Sequence, residues 1–162
     1  FATFRVKAPI FVARQLVKHK FLRWNEVSRR YVSDNVEFYE PDEWRGQAED
    51  KKQGSDGWVD AVDTVLYGWQ TPQSLSDRHN KSCLSVYKCM IDSGVCEEQA
   101  RMVLPASLMT EWYWSGSLDA FADMCRLRCA SDTQEETQEV AWDISLKMEE
   151  LFPVSWVALR DE

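Results

Sequence analysis

From Lys18 to Tyr31 the chain reads KHKFLRWNEVSRRY, a run of cations interleaved with a histidine, an asparagine, a carboxylate and a serine. Residues 1–31 carry eight Lys or Arg against the single acid Glu26, while the rest of the chain holds eleven basic and twenty-six acidic groups. A protein of net charge −8 is therefore positive only near its start. Clustered cations repel one another unless an anion relieves them, and a phosphate-bearing ligand is the simplest such anion.

Three chemistries fit this segment. A nucleic-acid surface would use scattered cations with Phe21 and Trp24 stacking on bases. A nucleotide site would use a few fixed cations around one phosphate, with Gln15, Asn25 and Ser28 as directional groups for base or sugar. A plain solvated basic face is the third reading, since charge runs often serve only solubility. The acidity of the whole chain argues against an extended duplex partner. His19, flanked by Lys18 and Lys20, is disfavoured from taking a further positive charge and suits a neutral hydrogen-bonding role. Ser28 has no Ser/His/Asp set evident in sequence, so a serine nucleophile is not expected. Arg126 and Arg128 end an apolar helical pattern, where cations complement the helix dipole, and Arg101 precedes Pro105 on a short one.

Elements must carry these groups. Phe4 and Val6 alternate with polar neighbours, which predicts a short half-buried strand. Pro9 suits the first turn of a helix whose apolar face is Ile10, Phe11, Val12, Leu16 and Val17, with Arg14, Gln15 and Lys18 on its polar side. After a turn at Phe21 to Trp24, Glu26, Ser28 and Arg30 alternate along an extended segment and would share one side. Val36, Phe38 and Tyr39 predict a second brief strand. Residues 41–58 are polar and read as a surface loop or insertion. Helical patterns are expected around Trp58 to Trp69, from Ser82 to Asp92 before Gly94, and from Glu97 to Leu104 before Pro105. Ser117 is a good N-cap for a helix through Arg128 on which Leu118, Phe121, Ala122 and Cys125 recur at helical spacing. Asp132 with Glu135 resembles a capping box for a last long helix carrying Val140, Ile144, Met148 and Leu151.

With 162 residues, 44% of them apolar and eight Trp, the chain suits one domain with a real core. No apolar run has the length to cross a bilayer and no leader pattern opens the chain, so a soluble, cytoplasmic protein is expected. A start at Phe1, already inside a strand pattern, predicts that the numbered chain begins within a longer one. Five cysteines (83, 89, 96, 125 and 129) without a CxxC pair, and only His19 and His79 beside them, read as reduced structural thiols with no metal site.

KHKFLRWNEVSRRY resembles the signature of the flavin-dependent thymidylate synthases: Arg-His-Arg, two free positions, Ser, one free position, Asn-Glu, one free position, Ser, one free position, Arg-Tyr. The likeness extends through KAPIFVARQ, RMVLP at Arg101 to Pro105, the Thr110 to Trp114 segment, Leu127-Arg128, and Gln134 with Glu136. It implies an α+β fold, helices packed with a small antiparallel sheet, in a homotetramer whose active sites lie where subunits meet. It also implies reductive methylation of dUMP to dTMP, with methylenetetrahydrofolate as carbon donor and NADPH as reductant through FAD. On the matching positions, Gln15, Lys18, Glu26, Ser28, Arg30, Arg101 and Arg128 would surround dUMP. Lys18, His19, Lys20 and Glu26, with Ser117 and Asp123, would face FAD. Arg128 would be the activating arginine that favours the ionised uracil ring and makes its C5 a better nucleophile, because a guanidinium near developing negative charge stabilises the transition state above the ground state.

The signature is not matched throughout. Lys18 and Lys20 replace arginines, keeping charge but losing the planar fork, and Arg23 stands where the signature has serine. Ser117-Leu118-Asp119 replaces an Asn-x-Arg stretch, and Asp123 and Asp132 stand where Asn and His are common. Acids there would repel the FAD pyrophosphate unless other cations offset them. The alternative from another class is a non-catalytic nucleotide or single-stranded nucleic-acid binding module that has lost flavin.

Overall fold

Phe4, Val6 and the residues between them do form a strand, and it is longer than the alternation alone required. The computed structural model describes residues 1–27, 36–49 and 55–160. Strand β1 spans Ala2–Pro9, followed by α1 (Ile10–Leu16), β2 (Arg23–Glu26), β3 (Arg45–Gln47), β4 (Ser55–Trp58), β5 (Val62–Thr64), β6 (Gly68–Gln70), α2 (Pro72–Asp92), α3 (Glu97–Ala100), a 3-10 turn (Arg101–Val103), β7 (Met109–Gly116), α4 (Leu118–Arg128), α5 (Glu135–Leu151) and α6 (Pro153–Arg160). Helices with small antiparallel sheets make this an α+β fold. The tertiary contacts divide the chain into two units.

The first unit comprises residues 1–27 and 110–160 among those described. Its sheet has the order β1-β7-β2, with β2 antiparallel to β7 and Trp24 opposite Trp114, Glu26 opposite Trp112. On β7 the side chains of Thr110, Trp112 and Trp114 are buried while Glu111, Tyr113 and Ser115 are more open, the period-two pattern of a sheet with one covered face. Trp112 and Trp114 enter a core with Val12, Leu16, Phe121, Met124, Cys125, Met148 and Trp156. Trp24 stacks on Trp112 at 4.2 Å and 18°, and meets Trp114 edge-on at 5.8 Å. Helix α4 packs on both α5 and α6. At the exit of β7 the chain passes close to the turn before β2. A Cβ on Gly116 would stand 2.4 Å from Leu22 Cδ2 and 3.3 Å from Phe21 O. Phe21 itself holds a left-handed φ of 66°, a conformation that non-glycine residues adopt at some cost.

The second unit comprises residues 36–49 and 55–109 among those described. Helix α2 starts on a strong local signal: Thr71 Oγ1 accepts from the Ser74 amide, and Pro72 fills the first helical position. Strands β3 and β4 pair antiparallel with a register shift, as do β5 and β6 in even register.

Several expectations need correction. Pro9 is the residue before α1, with extended dihedrals, and the helix ends at Leu16, so Lys18 lies in the following turn and Val17 is a cap. The stretch expected to be a polar loop carries β3 and β4. Phe38 makes one isolated bridge to Leu108 in place of a strand. Trp58 to Trp69 is the β5–β6 hairpin and its approach, not a helix. The helix expected from Ser82 begins ten residues earlier, at Pro72. The N-cap of α5 is Gln134, so Asp132 lies outside it, and Pro153 opens a further helix, α6.

Candidate functional site

Within the first unit, polar side chains from separate chain segments meet at the C-terminal end of α4. Arg128 ends that helix; its Nε donates to His19 Nε2 at 3.0 Å and its Nη2 to the Gln15 backbone carbonyl at 3.4 Å. The apolar spacing of α4 explains the placement: Phe121, Ala122 and Cys125 turn inward, and Arg128 falls on the last turn, where a cation suits the helix dipole. His19 is half-buried, with its ring edge-on to Trp114 at 6.4 Å and 64°. Burial, then the charge of Arg128, lowers the His19 pKa below the ordinary imidazole value, against a smaller opposing pull from Asp123.

Gln15, on the last turn of α1, donates through Nε2 to Gln134 Oε1, and Gln134 Nε2 donates to Glu136 Oε2 at 2.8 Å. An ionised carboxylate only accepts, so Glu136 sets the direction of both amides. Gln134 also caps α5 by position, and Glu136 lies in the first turn, where acids are favoured.

Glu26, on β2, is held at both oxygens. Thr110 Oγ1 donates to Oε1 at 2.6 Å and Trp24 Nε1 to Oε2 at 3.2 Å. Lys18 and Lys20 are exposed, and no ion pair joins either to another described residue. Ser117 is the N-cap of α4 by position, without a side-chain cap bond. A hydrogen bond from its hydroxyl is the main cause that holds the Asp119 carboxyl below its usual range. Asp123 is paired with Arg126 Nη2, and the same guanidinium donates from Nη1 to the Leu159 carbonyl at 2.6 Å. One of the acids that depart from the signature thus has its charge offset by a neighbouring cation.

Of the residues read from the sequence, Gln15, His19 and Arg128 are in direct contact, and Lys18, Lys20, Glu26, Ser117 and Asp123 belong to the same unit. Arg101 belongs to the second unit, where it is exposed and its Nε donates to the Glu98 carbonyl at 3.4 Å. Ser28 and Arg30 lie outside the described residues. Sequence reasoning gave no role to Thr110 or to the Trp24–Trp112 stack, because both depend on the β2–β7 register. Gln134 and Glu136 entered only through the family likeness.

All five thiols are free, and among the described residues no group of three or more His, Cys, Asp or Glu side chains is placed to hold a metal ion. Cys125 Sγ donates to the Ala141 carbonyl at 3.5 Å; with Cys129 one helical turn on, the interaction of the two thiols raises the pKa of the buried Cys125 and lowers that of Cys129, Arg160 assisting the latter. No described helix is long and apolar enough to cross a membrane.

Sequence and structure comparisons place this arrangement in one class. The family model described as thymidylate synthase complementing protein matches residues 1–154. The chain belongs to that family, whose curated relatives here are named flavin-dependent thymidylate synthase. The relative from Thermus thermophilus is 36% identical over 158 residues, covering 98% of this chain and 56% of its own length. That from Borreliella burgdorferi is 37% identical over 140 residues, covering 85% of this chain and 49% of the relative. The chain therefore spans about half the length of these relatives. Among solved structures, a UMP/dUMP methylase, PolB, from Streptomyces cacaoi bound with 5-Br UMP superposes with a TM-score of 0.83 at 28% identity, over 98% of this chain and 73% of that one. The same enzyme bound with 5-Br dUMP gives 0.77 at 28% identity, over 96% and 68%.

Proposed function

We propose that this chain contributes the uridylate and flavin site of a flavin-dependent thymidylate synthase, which converts dUMP to dTMP with methylenetetrahydrofolate as carbon donor and NADPH as reductant. The observation that carries the reading is Arg128 held by His19 and Gln15 at the end of α4, in a chain belonging to this family. Solved relatives of the same fold bind brominated UMP and dUMP, which supports a pyrimidine nucleotide as substrate.

Arg128 cannot lose its proton and presents a planar set of donors. Against the uracil ring it favours negative charge on the ring and so raises the nucleophilicity of C5. Gln15, Lys18, Glu26, Ser28, Arg30 and Arg101 complete the proposed dUMP set, and Glu26, fixed at both oxygens, is already oriented before ligand arrives. No enzyme nucleophile is needed.

The residues fit a flavin. Lys18 and Lys20 are exposed cations without a described ion-pair partner, suited to a pyrophosphate, and His19 and Ser117 offer hydrogen bonds. Asp123 would oppose the anion but for its pairing with Arg126. FAD, when bound, supplies the hydride chemistry, while the protein supplies orientation and field. A homotetramer with sites shared between subunits and a cytoplasmic location complete the proposal.

The test is product analysis. The full-length protein, supplied with FAD, NADPH, methylenetetrahydrofolate and either dUMP or UMP, should form dTMP from dUMP. A protein that takes up no FAD and forms no methylated nucleotide would overturn the reading in favour of a non-catalytic nucleotide-binding module.

A further inference from the structure

The bond between Arg128 and His19 has a direction that chemistry imposes. A guanidinium only donates, so the Nε2 of His19, 3.0 Å from Arg128 Nε, must carry a lone pair. The imidazole then has its one proton on Nδ1, the less common tautomer of a free histidine ring. A second anchor, from Arg128 Nη2 to the Gln15 carbonyl, lies one helical turn earlier in the same segment. With Nε and Nη2 both engaged, the plane of the guanidinium is set by the chain from Gln15 to His19. Trp114, edge-on to the imidazole, restrains the ring from the sheet side.

We propose that His19 is a positioning residue for Arg128: as a neutral, Nδ1-protonated imidazole it holds the guanidinium in its working orientation, and on protonation it releases it. Protonation at Nε2 would replace the acceptor with a donor and set two cations against each other. Among the described residues, the charged groups that act on the His19 ring are Arg128 and Asp123 on α4; Lys18 and Lys20 are its exposed neighbours along the chain, and β7 contributes the Trp114 ring. Burial of the ring, and then the charge of Arg128, opposes a further charge on it, and Asp123 offsets only part of this. The consequence for turnover rests on the proposed role of Arg128, whereas the tautomer and the titration do not.

The experiment is long-range 15N–1H correlation of the imidazoles in the uniformly 15N-labelled full-length protein as a function of pH. His19 is expected as the Nδ1–H tautomer, titrating below the ordinary imidazole value. In Arg128→Gln its titration should move up towards the ordinary imidazole value. A His19 ring protonated on Nε2 at neutral pH in the parent protein overturns the proposal without any variant. An unchanged His19 titration in a folded Arg128→Gln does the same. In steady-state assays, His19→Gln keeps an acceptor near the Nε2 position and should retain more of kcat than His19→Phe, with little difference between them in KM for dUMP. It should also lack the fall in kcat on acidification that the parent shows. Equal kcat losses in both variants would mean that His19 does not act through Arg128. If no dTMP is formed at all, the imidazole spectra still decide the positioning claim, so its failure and that of the proposed function are separable.

Discussion

At the scale of single residues, the proposed chemistry depends on Arg128 and on what holds it. Its worth lies in charge that does not titrate and in a fork with two of its nitrogens already engaged. Replacing Arg128 with Ala should lower kcat for dTMP formation by roughly 10²–10³-fold while thermal unfolding stays cooperative, because the side chain ends a helix instead of filling the core. Near-parental kcat in that variant would remove Arg128 from the mechanism. Part of this is legible in the sequence: the cationic segment, and Arg128 at the end of an apolar helix. The partnership of Arg128 with His19 is not, since it joins positions 109 apart and depends on the turn after α1 meeting α4.

At the scale of elements, local signals serve best where capping and burial agree. Helix α4 runs as Ser117 and its apolar spacing predict. The β5–β6 hairpin misleads because Val62, Val65, Leu66 and Trp69 fall at the i, i+3, i+4, i+7 spacing of a helix face. In the structure Val65, Leu66 and Trp69 are 104%, 79% and 71% exposed, so no core selects that face, and Gly68, at φ 64°, permits the turn instead. Asp132 misleads in a similar way: Gln134 takes the cap while its side chain is drawn into the chain from Gln15 to Glu136. The sheet that seats Glu26 is stabilised mainly by aromatic burial. Trp112→Ala should cost about 3–5 kcal/mol, and Gly116→Ala about 1–3 kcal/mol, because its new methyl meets Leu22 and the Phe21 carbonyl. Both are checked by urea unfolding. A loss under about 0.5 kcal/mol at either site, the range of an ordinary surface substitution, would show that the β2–β7 seam is not as tightly packed as described.

For the whole molecule, the α+β class and the early concentration of positive charge can be read from the chain, but the division of contacts into two units cannot. That division follows from pairings such as Phe38 with Leu108 and Glu26 with Thr110, which no local pattern encodes. Stability should depend on pH through His19. Its pKa is lower folded than unfolded, so the unfolded chain binds more protons once the pH falls below about 6.5, and stability is lost from there down through the folded pKa. The thermal midpoint of His19→Gln should therefore fall less than the parent's on acidification, and parallel falls would contradict the assignment. Light scattering of the full-length protein should give the mass of a tetramer; a monomer would contradict the proposed assembly.

The most direct measurement is the flavin absorbance of the FAD-loaded protein titrated with dUMP, because it reports both halves of the proposed site at once. A saturable change in the flavin band, lost in Arg128→Ala and weakened in Lys18→Glu, is the predicted result. A protein that binds FAD but shows no spectral response to dUMP, or that binds no FAD at all, would contradict the claim that these cations hold a uridylate against a flavin.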